Sequence, residues 1–324
     1  MSLNKVAEAI RRNKVFLITT HINPEADGLG AELAFLSMLR KLGKEGFIVN
    51  ESKVPPECVF LPGSNTVQAV SKKIRDFDCA VFLDCAEISR VGKVQQVMKA
   101  KCQSLNIDHH ISNTKFAKVN WVDVKACCTC EMVYELCRKL KVALDSDMAL
   151  SLYAGIVVDT GNFRYSNASA SCHRIAAKLL AVNINPATVY NKLFENNPFE
   201  DIKLLGSIVS SIEKDPSGKI VWATISRKIL NHIYPEIDLA EVALSLLRSI
   251  KGIELAMVFK EVRGKKDQIR INFRSQNNFD CNYLASRFGG GGHRNASGAT
   301  LEGDFEAVKG SIIKRAKELM RRYA

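Results

Sequence analysis

The sequence predicts an α/β protein in two parts: a parallel-sheet domain, then a smaller mixed α/β domain. Three observations carry that expectation. Short apolar, β-branched runs alternate with helical patterns through the first half of the chain. A stretch bearing Pro186, Asn196, Asn197 and Pro198 interrupts the rhythm. A fresh set of strands and helices follows it. The boundaries read from this are 1–185, a linker over 186–205, and 206–324. A chain of 324 residues is long for one core and comfortable for two.

Residues 15–20 (Val-Phe-Leu-Ile-Thr-Thr) form a short apolar run bounded by polar residues, which reads as a buried strand. Leu33, Ala34, Leu36, Met38 and Leu39 recur at helical spacing, predicting a helix over 30–41 that stops near Gly43. Further strands are expected at 46–50, 79–84 and 104–108, and helices at 127–140, 146–158 and 170–182. The mixed segment 184–203 reads as a connector leading into a helix. Beyond it the pattern gives strands at 219–225, 254–260 and 268–274, a helix near 238–250 and a basic helix at 305–322.

Composition narrows the function class. With 47% apolar and 25% charged residues the chain is neither disordered nor fibrous. No apolar run is long enough to cross a bilayer, and the N-terminal run is too short for a secretory signal. A cytoplasmic location without a membrane partner is the expectation. Ten cysteines are many, but the cluster Cys127, Cys128, Cys130 has no second cluster at zinc-finger spacing. Reduced, mostly buried thiols are expected. The net charge of +12 favours polyanionic partners such as phosphates or nucleic acid. Only 7% of residues are aromatic, too few for a long channel of stacked bases, so a short RNA or small nucleotide is the expected substrate. A homodimer is compatible with the sequence, which does not fix the oligomeric state.

Four acidic or histidine clusters carry the chemistry. They are His21 to Gly28 with Glu25 and Asp27, then Asp84, then Asp108-His109-His110, then Asp159-Thr160-Gly161. Each is read as lying just past a strand end or apolar stretch, and in a parallel sheet such ends converge on one crevice. Imidazole nitrogen with carboxylate oxygen suits a first-row divalent ion, and a nearly cysteine-free set favours Mn²⁺ or Mg²⁺ over structural zinc. Two such ions about 4 Å apart can share a carboxylate and a hydroxide that attacks phosphorus. Taken singly, each member has a plainer reading as a cap, a turn or surface decoration. The joint pattern is what points to a site.

The other informative segment is Gly289-Gly290-Gly291-Gly292-His293-Arg294. Consecutive glycines permit positive φ and let backbone amides approach an anion, and it reads as an anion-binding loop. Arg270 and Arg274 lie four apart on an expected strand and so face one side. Arginine forks suit phosphate.

His-x-x-x-acid-x-Asp, a strand-terminal Asp, Asp-His-His and Asp-Thr-Gly-x-Phe, in that order, resemble the DHH phosphoesterase superfamily. The closing Gly-Gly-Gly-His-x-x-Ala-Ser-Gly resembles its DHH-associated C-terminal domain. The length and two-domain plan are similar to the bacterial nanoRNase and 3′-phosphoadenosine 5′-phosphate (pAp) phosphatase branch. The resemblance implies that His21, Glu25, Asp27, Asp84, His109 and Asp159 hold two metal ions, with Asp84 between them. It implies that His110 faces the substrate phosphate and that Asp108 orients its neighbours. It also implies that Arg274 and the loop around His293 hold substrate, across an interdomain cleft. Catalysis would rest on Asp84, Asp108, His109 and His110, and substrate binding on His110, Arg270, Arg274, Gly290, Gly291, Gly292, His293 and Arg294.

One departure stands out: the family pattern has Asp where this chain has Glu25. The extra methylene moves the carboxylate oxygens by about 1 Å, and ligand geometry at such ions is strict. The expected activity is therefore two-metal hydrolysis of short oligoribonucleotides or pAp. The alternatives are a cyclic or linear dinucleotide phosphodiesterase, or a nucleotide-binding protein impaired by Glu25.

Overall fold

The computed structural model describes residues 2–71, 74–98, 102–230, 238–276 and 279–323, without the side chains of 230, 293, 322 and 323. The chain forms two compact units, Met1–Asn196 and Asn197–Ala324. The division falls inside the expected linker, which is helical on both sides of it.

The first unit contains α1 (Ser2–Arg12), β1 (Val15–Thr19), α2 (Ala26–Lys41), β2 (Glu45–Asn50), β3 (Gln68–Ala69), β4 (Cys79–Leu83), β5 (Gln103–Asp108) and β6 (Val119–Val122). Four helices follow: α3 (Thr129–Leu140), α4 (Ser146–Asp159), α5 (Ala170–Leu180) and α6 (Pro186–Phe194). The strands make one parallel sheet in the order β3-β2-β1-β4-β5-β6. Alternate strand residues face opposite cores. Phe16, Ile18, Val81, Leu83, Leu105 and Ile107 pack with α1 to α5. Leu17, Phe47, Val49, Ala80 and Phe82 pack on the 3₁₀ segment Ile88–Val97. Each of these side chains larger than alanine contributes roughly 1.5–3 kcal/mol by leaving water.

Helix α2 is buried almost all round, 13 of its 16 residues. It begins four residues before the sequence expectation and takes in Asp27-Gly28-Leu29-Gly30. The glycines are there for space. A Cβ on Gly28 would lie 2.5 Å from Thr20 Oγ1, and one on Gly30 would lie 2.3 Å from Ser151 O of α4. Helices α2 and α4 therefore meet backbone to backbone. A buried polar set holds α2 to the sheet. Glu32 Oε2 accepts from Asn50 Nδ2 at 2.9 Å, and Asn50 Oδ1 accepts from Thr20 N at 3.2 Å. It ties α2 to the ends of β1 and β2.

The second unit contains α7 (Phe199–Ser210), β7 (Glu213–Lys214), β8 (Ile220–Ile225), α8 (Arg227–Leu230), α9 (Leu239–Arg248), β9 (Leu255–Glu261), β10 (Gln268–Ser275), α10 (Cys281–Ser286), β11 (Gly291–His293), β12 (Ala296–Glu302) and α11 (Phe305–Tyr323). Its sheet is mixed, in the order β11-β12-β10-β9-β8-β7, with β8 and β9 parallel and the other pairs antiparallel. Ile312, Ala316, Leu319 and Met320 of α11 cover one face with α10. Helices α7 and α9 cover the other. Among the described residues, no helix is long and apolar enough to cross a membrane.

Two expectations need correction. Asp159 does not close a strand: it is the last residue of helix α4, so the four clusters do not occupy equivalent topological places. The run Leu150 to Val158 is apolar all round because α4 is buried, a pattern a short strand shares. The glycine run is not a free loop either. Gly291–His293 pairs with Ser297 and its neighbours in a hairpin, Gly291↔Gly298 and Gly292↔Ser297. A Cβ on Gly290 would lie 2.2 Å from Gly298 O, and one on Gly292, with φ +143°, 2.6 Å from Ala296 O. Close strand packing is thus a reason for these glycines that needs no anion.

Burial pushes Glu32 well above the usual carboxylate range; the Asn50 hydrogen bond opposes this and Asp84 adds to it. Folded Glu32 keeps its proton where the unfolded chain has lost it. Its stabilising contribution is full below the unfolded value and declines as pH rises above it. The Glu32→Gln variant should show a shallower fall in unfolding free energy between about pH 5 and 8, by up to about 1.4 kcal/mol per pH unit. Urea titrations across that range check this; an unchanged slope would show Glu32 ionised in the fold.

Candidate metal centre

Strand order reverses direction between β1 and β4, and the crevice beyond the carboxyl ends of such a pair is where α/β sheets bind ligands. His21 follows β1 by two residues, Asp84 follows β4 directly, and Asp108 ends β5 with His109 and His110 behind it. Asp84 adopts a left-handed backbone, φ +57°, which turns its carboxylate out of the strand. Asp27 comes from the first turn of α2 and Asp159 from the last residue of α4.

Asp84 is the hub. Its Oδ2 lies 3.4 Å from His21 Nε2, and its Oδ1 lies 3.6 Å from both His109 Nε2 and His110 Nδ1. His109 Nε2 is also 3.8 Å from Asp159 Oδ2. Asp84, His109 and His110 each offer a ligand atom within 4.8 Å of the others. Asp27 is held by the start of α3: its two oxygens accept from Thr129 N at 2.7 Å and Cys130 N at 2.8 Å. Those amides are unpaired donors of a helix N-terminus, which favours an anion there. One lone pair on each oxygen stays free. Thr129 Oγ1 donates to Asp84 Oδ1 at 3.2 Å, so a single helix end fixes two carboxylates.

The electrostatics call for a cation. Burial, then Asp27, Asp84 and Glu25, push Asp159 well above the usual carboxylate range. Burial and the Asp84 charge raise Asp27, against His109 and the two amides. For Asp84 burial also opposes ionisation, yet His21, His110 and His109 outweigh it and hold its carboxyl below the usual range. His110 is opposed by burial, but Asp108 and Asp84 push it up to about 9. Crowded buried carboxylates beside imidazole nitrogens match the donor set of a first-row divalent ion, and such an ion would relieve the repulsion.

His21, Asp27, Asp84, His109, His110 and Asp159 are thus brought together, and Asp108 stands behind His110, its Oδ1 2.7 Å from Nδ1. Glu25 caps α2 with an extended backbone, exposed and without a side-chain cap bond, and its charge reaches Asp159. The remaining expected residues belong to the second unit. Arg274 on β10 is 2.6 Å from Glu241 Oε1 in the first turn of α9, so its guanidinium already has a carboxylate partner. Arg270 and Arg294 are exposed, Gly290, Gly291 and Gly292 lead into and form β11, and the His293 side chain lies outside the described residues.

Sequence reasoning missed the supporting polar residues. Thr129 was hidden among cysteines. Asn167 Nδ2 donates to Asp159 O at 3.0 Å and Cys127 O at 2.9 Å, from a loop with no motif of its own. The ten cysteines are free, and all but Cys102 are buried. Cys130 Sγ donates to Asp27 O at 3.3 Å, a packing role beside the site.

Residues 15–156 match the DHH family, N-terminal domain, and residues 217–322 match the DHHA1 domain. The chain is 29% identical over 307 residues to the bifunctional oligoribonuclease and PAP phosphatase NrnA of Thermus thermophilus, covering 94% of this chain and 90% of that protein. It is 28% identical over 288 residues to the Bacillus subtilis protein of the same name, covering 88% of each. An exopolyphosphatase-related protein from Bacteroides fragilis superposes with a TM-score of 0.90 over 98% of this chain and 95% of that one. At 22% identity that likeness establishes the fold.

Mn²⁺ at about 100 times its Kd should raise Tm by roughly 5–10 °C, and EDTA should reverse the shift. Asp159 has a raised folded value, so at neutral pH it lowers the stability of the metal-free protein. The Asp159→Asn variant should melt higher than wild type without metal, yet gain less from Mn²⁺. Thermal melts with and without Mn²⁺ check both; a variant with the full Mn²⁺ shift would remove Asp159 from the centre.

Proposed function

With both of its domains matched, the chain belongs to the DHH family of phosphoesterases, and we propose that it hydrolyses short oligoribonucleotides and pAp with two divalent ions. One observation carries this reading: Asp84, flanked by His21, His109 and His110 at the switch point of the parallel sheet, in a chain similar to NrnA across both domains. His21, Glu25, Asp27, Asp84, His109 and Asp159 would hold the ions, Mn²⁺ or Mg²⁺, with Asp84 shared. When bound, such ions supply Lewis acidity toward the phosphoryl oxygens and make water nucleophilic at neutral pH.

The chain's own groups do the rest. His110, whose Nδ1 is held 2.7 Å from Asp108 Oδ1, has its ring directed beside Asp84, where it suits a phosphate oxygen. Asp108 keeps its ring in place. The second domain supplies substrate-binding groups: Arg270, Arg274, Arg294, His293 and the amides of Gly290, Gly291 and Gly292. Arg274 would then exchange Glu241 for the substrate's phosphate. The net charge of +12 favours such substrates. The protein would act in the cytoplasm.

Turnover of a 5′-labelled RNA dinucleotide and of pAp with Mn²⁺ tests this. Mononucleotide or AMP should be released, and release should stop with EDTA. In Asp84→Ala, kcat/KM should fall at least about 1,000-fold, about 4 kcal/mol. No turnover with metal bound would shift the substrate to a cyclic or linear dinucleotide. No turnover without a second ion, restored by Glu25→Asp, would make the chain a nucleotide binder.

A further inference from the structure

We propose that Asn113 is the positioning residue for His110, acting through Asp108; the inference rests on reading His110 as the group that meets the phosphate. Asp108 is fully buried, and a carboxylate there needs a partner on each oxygen. On one side Oδ1 lies 2.7 Å from His110 Nδ1. On the other Oδ2 accepts from Asn113 Nδ2 at 2.6 Å. The plane of the carboxylate is thus set by two contacts, and the imidazole direction follows from it.

The amide of Asn113 has its own orientation fixed. Its Oδ1 accepts from Lys115 N at 2.7 Å, so its NH₂ must face inward. Its backbone N donates to His110 O at 3.2 Å, which closes a tight turn over 110–113. Thr114 N donates to Ala86 O at 2.8 Å and pins the loop to the end of β4.

The inward NH₂ also donates to Asn106 Oδ1 at 2.7 Å. Asn106 is fully buried, and its Nδ2 donates to Phe82 O at 3.3 Å and Cys85 O at 3.0 Å. Those two carbonyls flank Asp84, whose left-handed φ of +57° departs from the strand. One amide therefore joins the carboxylate behind His110 to the clamp that keeps Asp84 turned outward. Removing it leaves a buried carboxylate oxygen and Asn106 Oδ1 without a donor. Asp108 then rotates and His110 loses its direction, while Asn106 Nδ2 still donates to the Phe82 and Cys85 carbonyls on either side of Asp84 and keeps that carboxylate in place. Supporting hydrogen bonds of this kind are worth 10–100-fold in activity, as an order of magnitude.

The test is a double-mutant cycle with a spectroscopic arm. Asn113→Ala should lower kcat/KM for the RNA dinucleotide about 10–100-fold, chiefly in kcat, with the Mn²⁺-induced rise in Tm retained. In a His110→Ala background the same substitution should change kcat/KM by no more than about twofold. Equal losses in both backgrounds, or a lowered Tm with kcat intact, would overturn the proposal. In ¹⁵N-histidine spectra the hydrogen-bonded Nδ1–H of His110, assigned by its disappearance in His110→Ala, should be lost from Asn113→Ala; its persistence would also overturn it. The spectra require no turnover, so they decide the point even where wild type hydrolyses neither nucleotide and the proposed function fails. Asn113→Ser replaces Ala in both arms where the alanine variant does not fold.

Discussion

The close approach of α2 to α4 is the constraint on which the rest of the first unit depends. Gly30 lies against Ser151 O, and a Cβ on Gly155 of α4 would fall 2.4 Å from Cys130 Sγ and 3.0 Å from the Asp27 Cα. Three helices therefore meet with almost no side chain between them. That proximity puts Asp27 against the N-terminus of α3 and the end of α4 beside His109. Larger residues at these glycines would force backbones apart, and overpacking of this kind costs about 1–3 kcal/mol. The cost in function would be greater, because ligand geometry tolerates only tenths of an ångström.

The sheet supplies the opposite kind of order. Its strands fix His21, Asp84 and Asp108 to one edge, while the helices bring Asp27 and Asp159 to the same place from the other direction. The two sets carry like charges with different settlements. Asp84 is compensated by three imidazoles, whereas Asp27 and Asp159 are left crowded. The fold thus crowds carboxylates at the proposed metal position, and core packing elsewhere in the unit holds them together.

Much of this was legible in the sequence. The strands at 15–19, 45–50, 79–83 and 103–108 lie within a residue or so of expectation, since short β-branched runs between polar residues have few other readings. The ordered motifs named residues that the fold does bring together: His21, Asp27, Asp84, His109, His110 and Asp159. What stayed hidden has identifiable causes. The start of α2 was masked by two glycines that are needed for space, Gly28 against Thr20 and Gly30 against Ser151 of α4. Asp159 was grouped with the strand-end residues although the helix expected at 146–158 already placed it at a helix end. Thr129, Asn113 and Asn167 carry no motif, because a hydrogen bond to a carboxylate depends on three-dimensional position alone. The glycine run of the second unit was given a ligand's reason when its hairpin already supplied a steric one.

The residues proposed as ligands span positions 21 to 159, a separation of 138 residues. Few of their contacts are local, and the last contributor leaves the ribosome long after the first. A chain emerging at about 5–20 residues per second spends several seconds with His21 exposed and Asp159 not yet made. On the proposed ligand set, an ion meeting the early chain would find only part of its ligands, so loading would follow the folding of the first unit, unlike the small zinc modules that fold around their metal.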